Sequence, residues 1–154
     1  MTKIRHRIGI LGKPEKLFWA LTEAEGLSGW WSTTASGMCA KGEKLQLGFG
    51  GVVTLKFIVE SVHPTSSITI VCPDGPGSWR NSKLHFELME DDNQTFLTLT
   101  HSSPIASEDD FLYFNTKWPV YLLSLRDLVE KGKGRPSPYD IPIFPGDNVT
   151  SNTE

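Results

Sequence analysis

Two of the four histidines, His6 and His101, sit where an imidazole could do chemistry. His6 alternates with Ile4 and Ile8, and His101 follows Leu97 and Leu99 in the same rhythm. Each ring therefore shares the apolar parity of a strand. A neutral imidazole there can orient a polar ligand group or move a proton. A hydrogen-bonded histidine at the edge of a core uses the same residue in the same place. The second set is aromatic: the pair Trp30-Trp31, Trp79 behind the Gly/Pro loop 73–77, and Trp118 with Phe114 and Tyr121 at helical spacing. One of the Trp30-Trp31 pair is expected in the core and the other at a pocket rim. Trp79 is either a lid or a loop anchor. A Tyr hydroxyl in such a wall needs a hydrogen-bond partner, which a ligand can supply.

Stronger chemistry is missing from the pattern. There is no G-x-S-x-G elbow and no catalytic cysteine signature at Cys39 or Cys72. The histidines stand apart, with no H-E-x-x-H and no clustered carboxylates, so neither a metal nor a cofactor is expected. Gly48, Gly50 and Gly51 lie in a hairpin pattern rather than ahead of a helix, so they do not make a phosphate cradle. No catalytic residue is assigned.

The elements that must position these residues follow from periodicity. Residues 3–10 alternate as a half-buried strand, and Lys13-Pro14-Glu15 opens a helix carrying Leu17, Phe18 and Leu21. A second short helix is expected over Glu25 to Trp31, broken around Gly26 and Gly29. From Gly37 the pattern is a meander: Leu45, Leu47, Phe49, then Val53, Leu55, Phe57, Val59, then Ile68, Ile70, then Leu84, Phe86, Leu88, then 95–101. After Pro104 the period becomes helical through Phe111, Phe114, Trp118, Leu122, Leu125 and Val129. Ser107 and the acids at 108–110 suit its start, and Pro119 predicts a kink or a late start. An amphipathic sheet needs a cover, and that long helix is the one element able to lie across it. The expected class is α+β.

Composition bounds the rest. The chain has 154 residues, with 15 basic and 18 acidic side chains for a formal net charge of −3. That balance sets aside general nucleic-acid binding. Hydrophobic residues make up 38%, including five Trp and eight Phe, enough for a real core. The first eleven residues lack an apolar signal stretch, and no run reaches the roughly 20 apolar residues of a membrane span. The expectation is a soluble cytoplasmic domain, with the Asn148-Val149-Thr150 sequon silent.

The element order resembles the helix-grip fold of the START/Bet v 1-like (SRPBCC) superfamily, a curved antiparallel sheet wrapped around a long C-terminal helix. Four segments are similar to the activator of Hsp90 ATPase homologue-like family. These are Lys13-Pro14-Glu15-Lys16-Leu17-Phe18-Trp19-Ala20-Leu21-Thr22, Leu27-Ser28-Gly29-Trp30-Trp31, Asp74-Gly75-Pro76-Gly77-Ser78-Trp79, and the stretch from Trp118 through Leu122 and Leu125 to Pro136. The resemblance covers roughly residues 3–136. It implies a domain over 1–136 and a Pro-rich tail over 137–154, part of it mobile. It also implies that the first and last strands are antiparallel neighbours, which would bring His6 and His101 together at one end of the concave face. Relatives in the superfamily bind lipids, sterols or polyketides, and some cyclise or dehydrate polyketides.

The function expected is non-enzymatic binding of a small hydrophobic or aromatic ligand between sheet and C-terminal helix. The candidate lining is His6, Ile8, Trp30, Trp31, Leu47, Phe57, Ile70, Trp79, Phe86, Leu99, His101, Phe114, Trp118 and Tyr121. The alternatives are a co-chaperone acting through its surface and a polyketide cyclase/dehydratase-like enzyme. Expected partners are thus the small ligand, then a second copy of the chain or a chaperone, without nucleic acid or membrane.

Overall fold

The computed structural model describes residues 1–147. Strand β1 (Thr2–Leu11) leads through helices α1 (Pro14–Thr22) and α2 (Ala24–Trp30) into β2 (Thr34–Gly37), β3 (Lys44–Phe49), β4 (Val53–His63) and β5 (Ser67–Cys72). A 3₁₀ turn, Gly77–Trp79, precedes β6 (Ser82–Asp91), β7 (Gln94–Ser103) and helix α3 (Glu108–Lys131). The strands form one seven-stranded antiparallel sheet in the order β1-β7-β6-β5-β4-β3-β2. First and last strands are neighbours, with Ile4 opposite His101 and His6 opposite Leu99. This is the helix-grip arrangement.

Alternation does what the pattern implies. Leu55, Phe57 and Val59 of β4 and Leu84, Phe86 and Leu88 of β6 are buried on one face, against α3 residues Phe114, Trp118, Leu122, Leu125 and Val129. At roughly 25 cal/mol per Å² of apolar area removed from water, this shared layer is the main source of stability. Turn chemistry sets the register. Gly50 and Gly51 both have positive φ (62° and 75°) at the β3–β4 turn, a conformation that costs glycine nothing.

The structure corrects three local expectations. First, α2 runs unbroken through Gly26 and Gly29. A Cβ at Gly26 would lie 2.6 Å from the α1 backbone, and one at Gly29 2.9 Å from Leu128. These glycines permit close approach and do not break the helix. Second, α3 starts at Glu108 and continues through Pro119, so the late start does not occur. Its N-cap Ser107 accepts a hydrogen bond from the Asp110 N–H, and Gly132 closes it in the left-handed region. The carbonyl that Pro119 leaves without a helical donor belongs to Asn115, an exposed residue within reach of water. Third, β2 is an additional edge strand with no apolar alternation to reveal it.

The part of the tail that is described, Ser137–Asp147, packs on the domain. The Ser137 N–H donates to the Trp31 carbonyl (3.0 Å), and the Ser137 carbonyl accepts from the Thr33 hydroxyl (2.7 Å). The same Thr33 oxygen accepts the Gly50 N–H at 2.7 Å. One side chain thus ties the segment after α2, the β3–β4 turn and the tail together. The sequon at Asn148 lies outside the described residues.

Candidate functional site

A cavity of about 200 Å³ lies beside the N-terminal half of α3. Helix α3 supplies Tyr113, Phe114, Lys117, Trp118 and Tyr121, four aromatic side chains and a lysine on successive turns. Strands β3 and β4 with their turn add Phe49, Val52, Val53 and Leu55. Trp31 enters from the end of α2, Trp79 from the 3₁₀ turn, and Ser137, Asp140 and Asp147 from the tail. Val52, 62% exposed, marks the rim.

Large rings meet here edge to face, tilted or stacked. Trp31 lies 5.5 Å from Trp118, 5.8 Å from Phe49 and 6.5 Å from Tyr121, centroid to centroid. Trp79 stacks on His101 at 5.0 Å and meets Phe114 edge-on at 5.3 Å. Such geometries suit the ring quadrupoles. Trp79 is held by its turn. The Ser78 hydroxyl donates to Asp110 at 2.6 Å and accepts the Ala106 N–H at 2.9 Å, locking the turn to the start of α3.

Five of the residues expected at a pocket therefore line this cavity: Trp31, Trp79, Phe114, Trp118 and Tyr121. The other nine do not. Leu47, Phe57, Ile70, Phe86 and Leu99 fill the core, and Ile8 is packed at its margin. Trp30 is fully buried, with its indole N–H donated to the Ala20 carbonyl at 2.8 Å, so it joins α2 to α1. The two histidines share a sheet face but serve different partners on α3. His6 is half-buried with Nε2 3.1 Å from Asn115 Oδ1.

His101 is completely buried behind the cavity wall. Its Nδ1 accepts the Trp118 indole N–H at 2.9 Å, which places the ring proton on Nε2. Burial pushes its pKa down to about 4, so it is neutral at physiological pH. Nε2 has no partner among the described residues. His101 thus orients Trp118 from behind.

The sequence reading missed Phe49, Val52, Val53, Leu55 and Tyr113 in the wall, and it missed the residues that form the cavity's polar end. Lys117 bonds Asp140 and, at 3.0 Å, Asp147 Oδ2; all three side chains are at most 5% exposed. The two carboxylates hold the Lys117 pKa above its usual value against the opposing effect of burial. Its Nζ also stands 5.3 Å from the Tyr121 ring centroid. Burial raises the pKa of both Tyr113 and Tyr121, which stay protonated. Lys117 was detectable in principle, being a lysine on the apolar stripe between Phe114 and Tyr121. Nothing in the aperiodic tail marks Asp140 and Asp147. Among the described residues no group of His, Cys, Asp or Glu is placed to hold a metal ion.

Fold and site together define a helix-grip domain with a small aromatic cavity under its long helix. The family described as Activator of Hsp90 ATPase homolog 1-like protein matches residues 12–130, and the chain belongs to it. The Aha1 dimer of Colwellia psychrerythraea is 38% identical; the match covers 87% of this chain and 100% of that one, at a TM-score of 0.78. Protein SSP2350 of Staphylococcus saprophyticus (19% identity, 88% of this chain and 98% of that one, TM-score 0.74) shares the fold. So does CalU16 of Micromonospora echinospora (19%, 83% and 74%, TM-score 0.69). None of the curated proteins matches. No helix among the described residues is long and apolar enough to cross a membrane.

Proposed function

We propose that the protein binds one small aromatic molecule, without transforming it, in the cavity between α3, the β3–β4 turn and the tail. The supporting observation is the cavity itself: about 200 Å³ walled by Trp31, Trp79, Phe114, Trp118 and Tyr121. An engineered apolar cavity of about 150 Å³ in another protein holds benzene, so this one suits a single ring with a short substituent. It is smaller than the roughly 300–1,000 Å³ of pockets for larger ligands, which disfavours a whole sterol or long-chain lipid. His101 lies behind the wall, which disfavours the cyclase reading. Native mass spectrometry of protein purified from its own host tests the proposal. An added mass that is lost on denaturation is the expected result; bare protein at every preparation overturns it.

A second reading rests on family membership and on the likeness to the Colwellia Aha1 dimer. On it, the chain pairs with a second copy and meets a chaperone through its surface. Sedimentation velocity reads the first part, and a change in chaperone ATPase rate reads the second. A monomer without effect on that rate removes this reading.

A further inference from the structure

The polar end of the cavity carries an unbalanced charge. Lys117 faces two aspartates, Asp140 and Asp147, and it is the one cationic side chain among the described residues that line the cavity. Formally, one ammonium is set against two carboxylates in a buried place. A buried charge is costly unless it is paired and hydrogen-bonded. The Asp147 side chain is 5% exposed, and its Oδ1 is buried without a hydrogen-bond partner among the described residues. The remaining wall is made of ring faces and edges, including Trp31, Trp118 and Tyr121.

We infer that the cavity takes an aromatic amine in its protonated form, a ring with an ammonium on a short stem whose N–H is donated to Asp147 Oδ1. This deepens the ligand-binding reading above and rests on it. The ligand's charge brings the count to two cations and two anions. The surrounding rings add attraction, since desolvated cations gain from aromatic faces. An anionic ligand is poorly served. Lys117 already gives bonds to both aspartates and lies 5.3 Å from the Tyr121 ring centroid, so a ligand carboxylate at its remaining N–H would bring a third buried anion beside the two aspartates. A neutral ring fills the space and leaves Asp147 Oδ1 unpaired.

The test uses the whole chain and three probes that share a ring: phenethylamine, phenethyl alcohol and 3-phenylpropionate. Tryptophan fluorescence at neutral pH follows each titration. The expected order is amine tightest, by about tenfold or more over the alcohol, with the acid weakest. Asp147→Asn is expected to erase the amine's advantage. If that variant does not fold, the ranking on the unmodified protein still decides. Alcohol or acid binding as tightly as the amine overturns the inference and leaves the cavity a ligand site, with Lys117 and its aspartates serving only to clasp the tail. Binding of none of the three overturns both readings.

Discussion

The two ends of one sheet–helix interface are built from the same periodic stripe and are filled differently. At the closed end, α1, α2 and the C-terminal half of α3 pack Leu17, Trp30, Leu125 and Ile10 to zero exposure. Backbones meet there: a Cβ at Gly134 would lie 2.5 Å from the Gly29 carbonyl oxygen and 2.8 Å from that of Ser124. The Ser124 hydroxyl donates to the Trp30 carbonyl and accepts the Arg135 N–H, so polar groups are paired as the chains close. At the open end, the stripe carries Phe114, Lys117, Trp118 and Tyr121 against Trp31 and Trp79, and about 200 Å³ remains. Glycine lets backbones close a gap, whereas large rings that meet at steep angles leave a gap between them.

That contrast is most exposed to mutation at Trp30. Trp30→Ala removes a fully buried ring and its hydrogen bond to Ala20, and the expected loss is about 3–5 kcal/mol in urea unfolding. A loss below about 1 kcal/mol would mean the closed end is not close-packed. Next comes the clasp. Lys117→Met leaves two buried carboxylates without their cation, at a cost of about 3 kcal/mol, which release of the tail relieves. Limited proteolysis after Ser137 should then accelerate; an unchanged cleavage rate would show that the tail is held by other contacts.

His101 sharpens the comparison through pH. Its folded pKa of about 4 lies below its ordinary 6.5, so between these values the unfolded chain binds more protons. The contribution of this group is therefore complete above about pH 6.5 and declines as pH falls to about 4, by about 3 kcal/mol in all. Urea unfolding across that range reads the slope, and His101→Gln should flatten it. The smallest effect is expected at the rim: Val52→Thr, at a position 62% exposed, should change stability by less than about 0.5 kcal/mol. A larger loss would mean the rim is covered in solution.

The contrast also explains what was legible in the sequence. The meander and α3 announced themselves because burial on one face imposes a period of two or of about 3.6 on the apolar residues. Their pairing followed from the resemblance and from the need to cover one apolar face. The short polar strand at Thr34–Gly37 has no such face, and so it left no pattern. Gly26 and Gly29 read as breaks because composition does not distinguish a glycine that ends a helix from one that lets another chain touch it. The site was half legible. Trp31, Trp79, Phe114, Trp118 and Tyr121 belong to recognisable elements, but core and cavity share one periodic face. Periodicity could not therefore separate Phe57 and Leu99, which fill, from Leu55 and Phe49, which line. Asp140 and Asp147 act from an irregular segment whose position depends on Thr33, Trp31 and a turn remote in sequence.

The five tryptophans make the central claim directly measurable. Trp31, Trp79 and Trp118 line the cavity, whereas Trp19 and Trp30 do not. Titration of the ¹⁵N-labelled protein with phenethylamine or phenethyl alcohol, followed at the indole N–H resonances, separates the two groups. Saturable shifts are expected for Trp31, Trp79 and Trp118, with a smaller one for Trp30, which stacks on Trp31 at 5.3 Å, and none for Trp19. Shifts spread over all five, or none up to the solubility of the probes, would contradict that claim.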